Sequence, residues 1–368
     1  MKTVSRLIHL EVVQSVLFVA IGFLGLFVFF DFVEELKAVS RYSAQGYGLL
    51  AAAAYVGLST PTHLYELIPI AVLIGTIFVM SRMAQRSEFT VLRTSGLSPS
   101  RALSSLIVLG VIFAIATFLM GDYLSPWADR QAGLVKSKHT AGQVLTQSGA
   151  WLKERQADRQ FVVSAAALLD DGSLRDIQLY EFQADGSIRR LIKAGKAQIL
   201  EDEAWLLKSV DLLEFPDRTS GATGVSQQRL DTWRWPNAIS ADMVAAALLN
   251  PERMNSLSLF KYIGHLKANK QESQKFEIVF WRKVFYPLSC LVMVVLSLPF
   301  AYLHFRSGGI ASHVFAGVVV GISFFLLNNL FGYVGTLQQW QPWLASALPS
   351  LIYSVISLTA FLWLVFRH

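Results

Sequence analysis

Cysteine is nearly absent from this chain. Its single cysteine, Cys290, lies inside an apolar run, which excludes an intrachain disulfide and a paired-cysteine metal site. Charge is scarce too: 16% of the 368 residues are Asp, Glu, Lys or Arg against 53% hydrophobic, and the mean hydropathy of +0.44 is that of an integral membrane protein. There is no G-x-x-x-x-G-K-[ST] phosphate loop; Ala194-Gly-Lys-Ala197 lacks the earlier glycine and the hydroxyl, so this chain is not expected to bind or hydrolyse ATP by itself. H-E-x-x-H and G-x-S-x-G are missing as well, and no catalytic or metal-ligating set is expected. The apolar runs carry almost no ionisable residue between their ends, which argues against ion-coupled transport. The net charge of +6 and pI of about 9.3 come without a DNA- or RNA-binding signature, and no nucleic-acid partner is expected.

What is present is a series of apolar runs. Val12 to Phe30 is free of charge and long enough to cross a hydrocarbon core of about 30 Å, so it reads as span one; too long for a signal-peptide core, it reads as a retained anchor. Leu49 to Met80 is too long for one straight crossing. Pro61 and Pro69 predict an interfacial helix at Gly48 to Leu58, a break at Ser59 to Pro61, and span two from His63 to Met80. His63 and Glu66 then read as solvated groups at the membrane edge. Ala102 to Gly121 is span three, with Asp122, Tyr123 and Trp127 marking its exit. Spans four, five and six are expected at Val284 to Leu303, Ile310 to Leu330 and Trp343 to Phe366.

Between spans two and three lies a charged cluster, Ser81 to Pro99, holding Arg82, Arg86, Glu88 and Arg93. Gly96 and Pro99 supply a helix stop, so Met83 to Thr94 reads as one short helix at the membrane surface, shaped to receive a push from a soluble partner. The blander alternative is a loop whose arginines merely orient the spans. From Trp127 to Gln274 the composition turns polar, with turn signals at Asp170 to Gly172, Ala184 to Gly186, Glu201 to Glu203 and Pro216 to Gly221. Alternating segments between them predict an all-β sandwich or jelly roll, and Leu257 to Lys270 a helix leading back to the membrane. The expected fold class is therefore a six-span α-helical membrane protein with an inserted all-β domain: residues 1–126 with the charged helix at about 82–95, then 127–274, then 275–368. Placing Lys2, Arg6, Arg82, Arg86, Arg93, Arg101, Arg306 and Arg367 on one side puts both ends in the cytoplasm and the β domain outside. Arg282 and Lys283 violate this rule and are expected to snorkel to headgroups.

This order of parts resembles the LptF/LptG permease family of the lipopolysaccharide-export ABC transporter. The match is carried by Pro61, Pro69, Gly75, Met83-Ala-Gln-Arg-Ser-Glu88, Thr94-Ser-Gly96, Gly121 to Pro126, Gly149-Ala-Trp-Leu152 and Phe324 to Gly332, and it is closer to the G-type than the F-type member. The resemblance implies a bacterial inner-membrane protein with a periplasmic jelly roll. Its implied partners are an LptF-like permease subunit, a cytoplasmic LptB-like ATPase dimer that binds the ATP and Mg, a single-span LptC-like bridge protein, and lipopolysaccharide. Arg82, Arg86, Glu88 and Arg93 would form the coupling helix, with Glu88 facing a basic residue of the ATPase. Lys37, Arg41, Lys136 and Lys138 are implied to meet lipid phosphates. Phe27, Phe29, Phe30 and Phe32 of span one, with Phe315, Phe324, Phe325 and Leu326 of span five, are implied to line a lateral gate for acyl chains. The chain departs from the family pattern at Asp31, Ala38 and Thr62, where lysines occur. Two other readings remain at this level: a mechanotransmitting subunit that moves no lipid, separable by crosslinking span one to lipopolysaccharide, and a membrane-anchored sensor or scaffold, separable by a failure to co-purify with an ATPase.

Overall fold

The computed structural model describes residues 2–96, 98–137, 150–156, 159–168, 173–183, 186–200, 204–216, 224–237, 239, 244, 251–302 and 309–367. Five of its helices are long and apolar enough to cross a membrane, and a sixth span results if one bent pair is counted as a single crossing. The chain divides into two compact units. The first holds Met1–Glu35, Val56–Asp129 and Gln274–His368, and the second Leu36–Tyr55 and Arg130–Ser273.

The first helix, α1, runs over Lys2–Tyr42 and α2 over Leu49–Gln85. The break expected at Pro61 does not occur: both prolines lie inside α2. Each proline removes only one backbone bond, whereas ending a helix in apolar surroundings strands up to four groups, so the continuous helix is the cheaper solution. Within the first unit α2 is the central element, and α1 packs on it at Gly75, which has no side chain to hold Val16 away. Two polar contacts join these helices, the Glu11–Arg82 ion pair at 2.7 Å and a hydrogen bond between Asp31 and His63 at 2.5 Å. They are twenty residues apart on α1 and nineteen on α2, about 30 Å of helix, which is the thickness of a hydrocarbon core. His63 is therefore an interhelical partner stacked on Phe27, correcting its expected role as a solvated cap.

After the short helix α3, Glu88–Thr94, the chain continues as α4, Pro99–Leu119. Ser98 caps α4 and Pro99 opens it, as the residue types predict. Span three does not end at Asp122. A π-turn at Met120–Leu124 leads directly into α5, Ser125–Ser137.

In the second unit six antiparallel strands pair in strict chain order: β1 Ala150–Gln156, β2 Arg159–Leu168, β3 Ser173–Phe182, β4 Ile188–Leu200, β5 Ala204–Glu214 and β6 Ser226–Pro236. A jelly roll requires strands that cross between two sheets; among the described residues the sheet is instead a simple meander. One face buries Leu152, Val163, Leu179, Ile192, Leu207 and Trp205, whose indole nitrogen donates to the Ile239 carbonyl at 2.8 Å. Helix α6, Ser256–Ala268, follows, close to the expected return helix. Its His265 is buried with Glu154 of β1 at 3.9 Å and is contacted by the Asn269 amide nitrogen at 3.3 Å. Burial holds the imidazole below its ordinary value of 6.5, with the Glu154 charge opposing. The unfolded chain thus binds a proton here more readily than the folded one, so the contribution of His265 to stability is full above pH 6.5 and falls as pH drops toward the lowered native value. Thermal unfolding of the full chain in detergent is expected to show this loss between pH 7 and lower pH, and His265→Gln is expected to flatten it.

The stretch expected as span four is two helices, α7 Gln274–Phe285 and α8 Ser289–Ser297, bent by 45° around Tyr286 to Leu288, with a 3-10 turn at Leu298–Ala301. It starts ten residues earlier than expected. Pro287 cannot donate a backbone bond, which accounts for the break. The stretches expected as spans five and six are α9, Ile310–Leu337, and α10, Pro342–Arg367. Gly317 and Gly321 of α9 admit Ile77 and Ile70 of α2, so α1 and α9 both dock on α2 through glycines.

Candidate coupling helix and lipid-facing surface

The predicted single helix Met83 to Thr94 is split. Ser87 takes a left-handed backbone (φ 59°), ending α2 and letting α3 start at Glu88, while Gly96 (φ 97°) closes α3 as expected. Glu88 stands in the first turn, where a carboxylate complements the helix dipole. Among the described residues it pairs with Arg86 at 3.8 Å, and both side chains are substantially exposed. Arg82 is not free to dock a partner: it is held by Glu11 and lies over the Phe78 ring. Arg93 belongs to α3, but its side chain lies outside the described residues. The residue that sequence reasoning missed is Phe89. It is buried and meets Tyr302 edge to face at 5.0 Å, so α3 is anchored to the end of span four. A lone Phe inside a polar cluster is the signal for it.

On α1, Phe27, Phe29 and Phe30 are exposed and Phe32 is half-buried. On α9 the exposed large apolar residues are Phe315, Val319, Ile322, Leu326, Leu330, Tyr333 and Leu337, a stripe at three- and four-residue spacing along one face. Phe315 is 69% and Leu326 60% exposed, whereas Phe324 is 1% exposed and packs against Tyr353, so it does not belong to this stripe. Phe325 is half-buried. Lys37 and Arg41 are exposed one helical turn apart at the end of α1, and Lys136 of α5 lies 4.4 Å from the centre of the Tyr55 ring. Lys138 lies outside the described residues. Two of the three departures from the family pattern have structural occupations of their own: Asp31 binds His63, and Thr62 shares a hydrogen bond with Ser125. Among the described residues, no group of three or more His, Cys, Asp or Glu is arranged to hold a metal ion.

Residues 6–364 match the family described as lipopolysaccharide export system permease LptF/LptG. The chain belongs to the LptF/LptG family. It is 25% identical over 358 residues to the lipopolysaccharide export system permease protein LptG of Haemophilus influenzae, covering 96% of each chain. It is 26% identical over 360 residues to the LptG protein of Escherichia coli K12, covering 96% of this chain and 94% of that one. The family is one of export-system permeases, and the apolar helices of this member are those of a multi-pass membrane protein.

Proposed function

We propose that this chain is an LptG-type permease subunit that extracts lipopolysaccharide from the outer leaflet of the inner membrane and passes it toward a periplasmic bridge. A separate cytoplasmic ATPase binds ATP and Mg and drives it; an LptF-like chain is its permease companion and an LptC-like protein its bridge. In this reading α3 is the coupling helix: Glu88 takes the push, and the Phe89–Tyr302 contact carries it into span four. Both termini lie in the cytoplasm and the β sheet in the periplasm, where its apolar side supports acyl chains. Lys37, Arg41 and Lys136, with Lys138, meet headgroup phosphates.

The observation that carries the reading is the outward display of apolar residues on α1 and α9, the two helices docked on α2 through glycines. A lipid with several acyl chains needs such a wall. A photo-reactive residue at Phe30 or Leu326, both exposed and in the outer half of the membrane in this topology, is expected to capture lipopolysaccharide in exporting cells, and the same residue at buried Phe324 to capture at least about tenfold less. Equal capture at all three positions, or none at Phe30 and Leu326, would overturn the proposal.

A further inference from the structure

Lys283 was expected to reach for headgroups. Instead it is only 9% exposed, about 14 Å along span four from Gln274, and its Nζ donates to the Gly121 carbonyl at 3.1 Å. A lysine inside a membrane segment is costly unless it faces the bundle and finds a partner, so its place calls for a task. Gly121 lies in the π-turn Met120–Leu124, and Lys283 lies three residues before the α7–α8 bend. Two irregular points in neighbouring spans are therefore tied by one buried cation.

The surroundings tighten the tie. A side chain at Gly121 would run into the Tyr65 ring, so glycine lets α2 and the π-turn come this close. Tyr65 in turn lies 5.1 Å from the ring of Tyr286, and the Tyr286 hydroxyl donates to the Glu66 carbonyl at 2.6 Å. Nearby, Thr117 of α4 and Cys290 of α8 share a contact at 3.4 Å. Bends and π-turns are where helices change direction with least loss of bonding, and here they are cross-linked by side chains rather than left loose.

We propose that Lys283 is a positioning residue of transport: by bonding Gly121 it makes the π-turn of span three and the bend of span four move as one body, so that a push on α3 reaches the outer half of the bundle. This rests on the permease reading above, and its test has one arm that does not. In a Cys290→Ala background, spin labels are placed at exposed Tyr123 and Lys275 of the full chain in lipid nanodiscs, without nucleotide or lipopolysaccharide. Lys283→Met is expected to broaden the label-to-label distance distribution, and Lys283→Arg, which retains a donor, to restore it. In vesicles holding the complete transporter, Lys283→Met is expected to keep ATP hydrolysis within about twofold of the parent while lipid release falls at least about tenfold. An unchanged distance distribution overturns the proposal, as does release within about twofold of the parent. A Met variant that fails to assemble assigns Lys283 a purely structural role and also overturns it. If the distances broaden while even the parent complex releases no lipid, the permease reading fails and the tie between the spans stands.

Discussion

Glu88→Lys is expected to abolish lipopolysaccharide export while the protein still inserts and still pairs with its permease companion. Glu88 is exposed at the start of α3, and among the described residues its ion pair is with the still more exposed Arg86. Reversal therefore disturbs little inside the chain. The dipole of a seven-residue helix prefers a carboxylate at this end by about 0.3–1 kcal/mol. In the proposed complex the larger effect is expected at the contact with the ATPase, where a close interfacial charge pair is worth about 1.5–7 kcal/mol and a reversal adds repulsion. About 3 kcal/mol is more than a hundredfold in affinity. Depletion strains carrying the variant are expected not to grow, and the purified variant to lose its ATPase. Charge reversal at the facing basic residue is expected to restore both. Normal growth with intact ATPase association would end the coupling assignment of Glu88.

Gly75→Leu is expected to detach α1 from α2. A first side-chain carbon at Gly75 would lie 2.7 Å from the Val16 backbone nitrogen and 2.8 Å from its Cα, and a backbone cannot rotate aside as a side chain can. Overpacking of this kind costs about 1–3 kcal/mol, and a leucine against backbone belongs at or above the top of that range. Moving α1 also pulls apart the Glu11–Arg82 and Asp31–His63 pairs. Thermal unfolding in detergent is expected to drop by many degrees. Gly22→Ala and Gly25→Ala supply the control: a side chain at either glycine of α1 meets nothing within 4 Å, so both variants are expected to match the parent or exceed it slightly. Equal losses at all three positions would show that α1 tolerates no change anywhere, rather than that Gly75 marks a contact.

The strand that the sequence displayed most clearly is β3, where polar and apolar residues alternate over Asp176-Ile-Gln-Leu179. β4 was harder to see, because Arg189, Arg190, Lys193 and Lys196 dominate its composition while its buried side rests on Ile192, Ala194 and Ala197. Left-handed residues at Asp176 and Ser209 also shift the alternation part-way along β3 and β5. The candidate site was legible only in outline. Composition located the charged segment and the aromatic runs, but nothing local distinguishes Arg82, committed to Glu11, from exposed Arg86, or buried Phe324 from exposed Phe315.

Long apolar runs and a polar insert were enough, by residue type alone, to indicate a multi-pass membrane chain with a β insert. Burial in lipid and satisfaction of the backbone depend on composition over twenty residues, which any reader of the chain can count. Where helices break, which face is covered and what becomes of Lys283 were decided by neighbours distant in the chain. α2 passes through two prolines because helices pack around it, and a lysine lies buried in the bundle because the Gly121 carbonyl comes within reach of it.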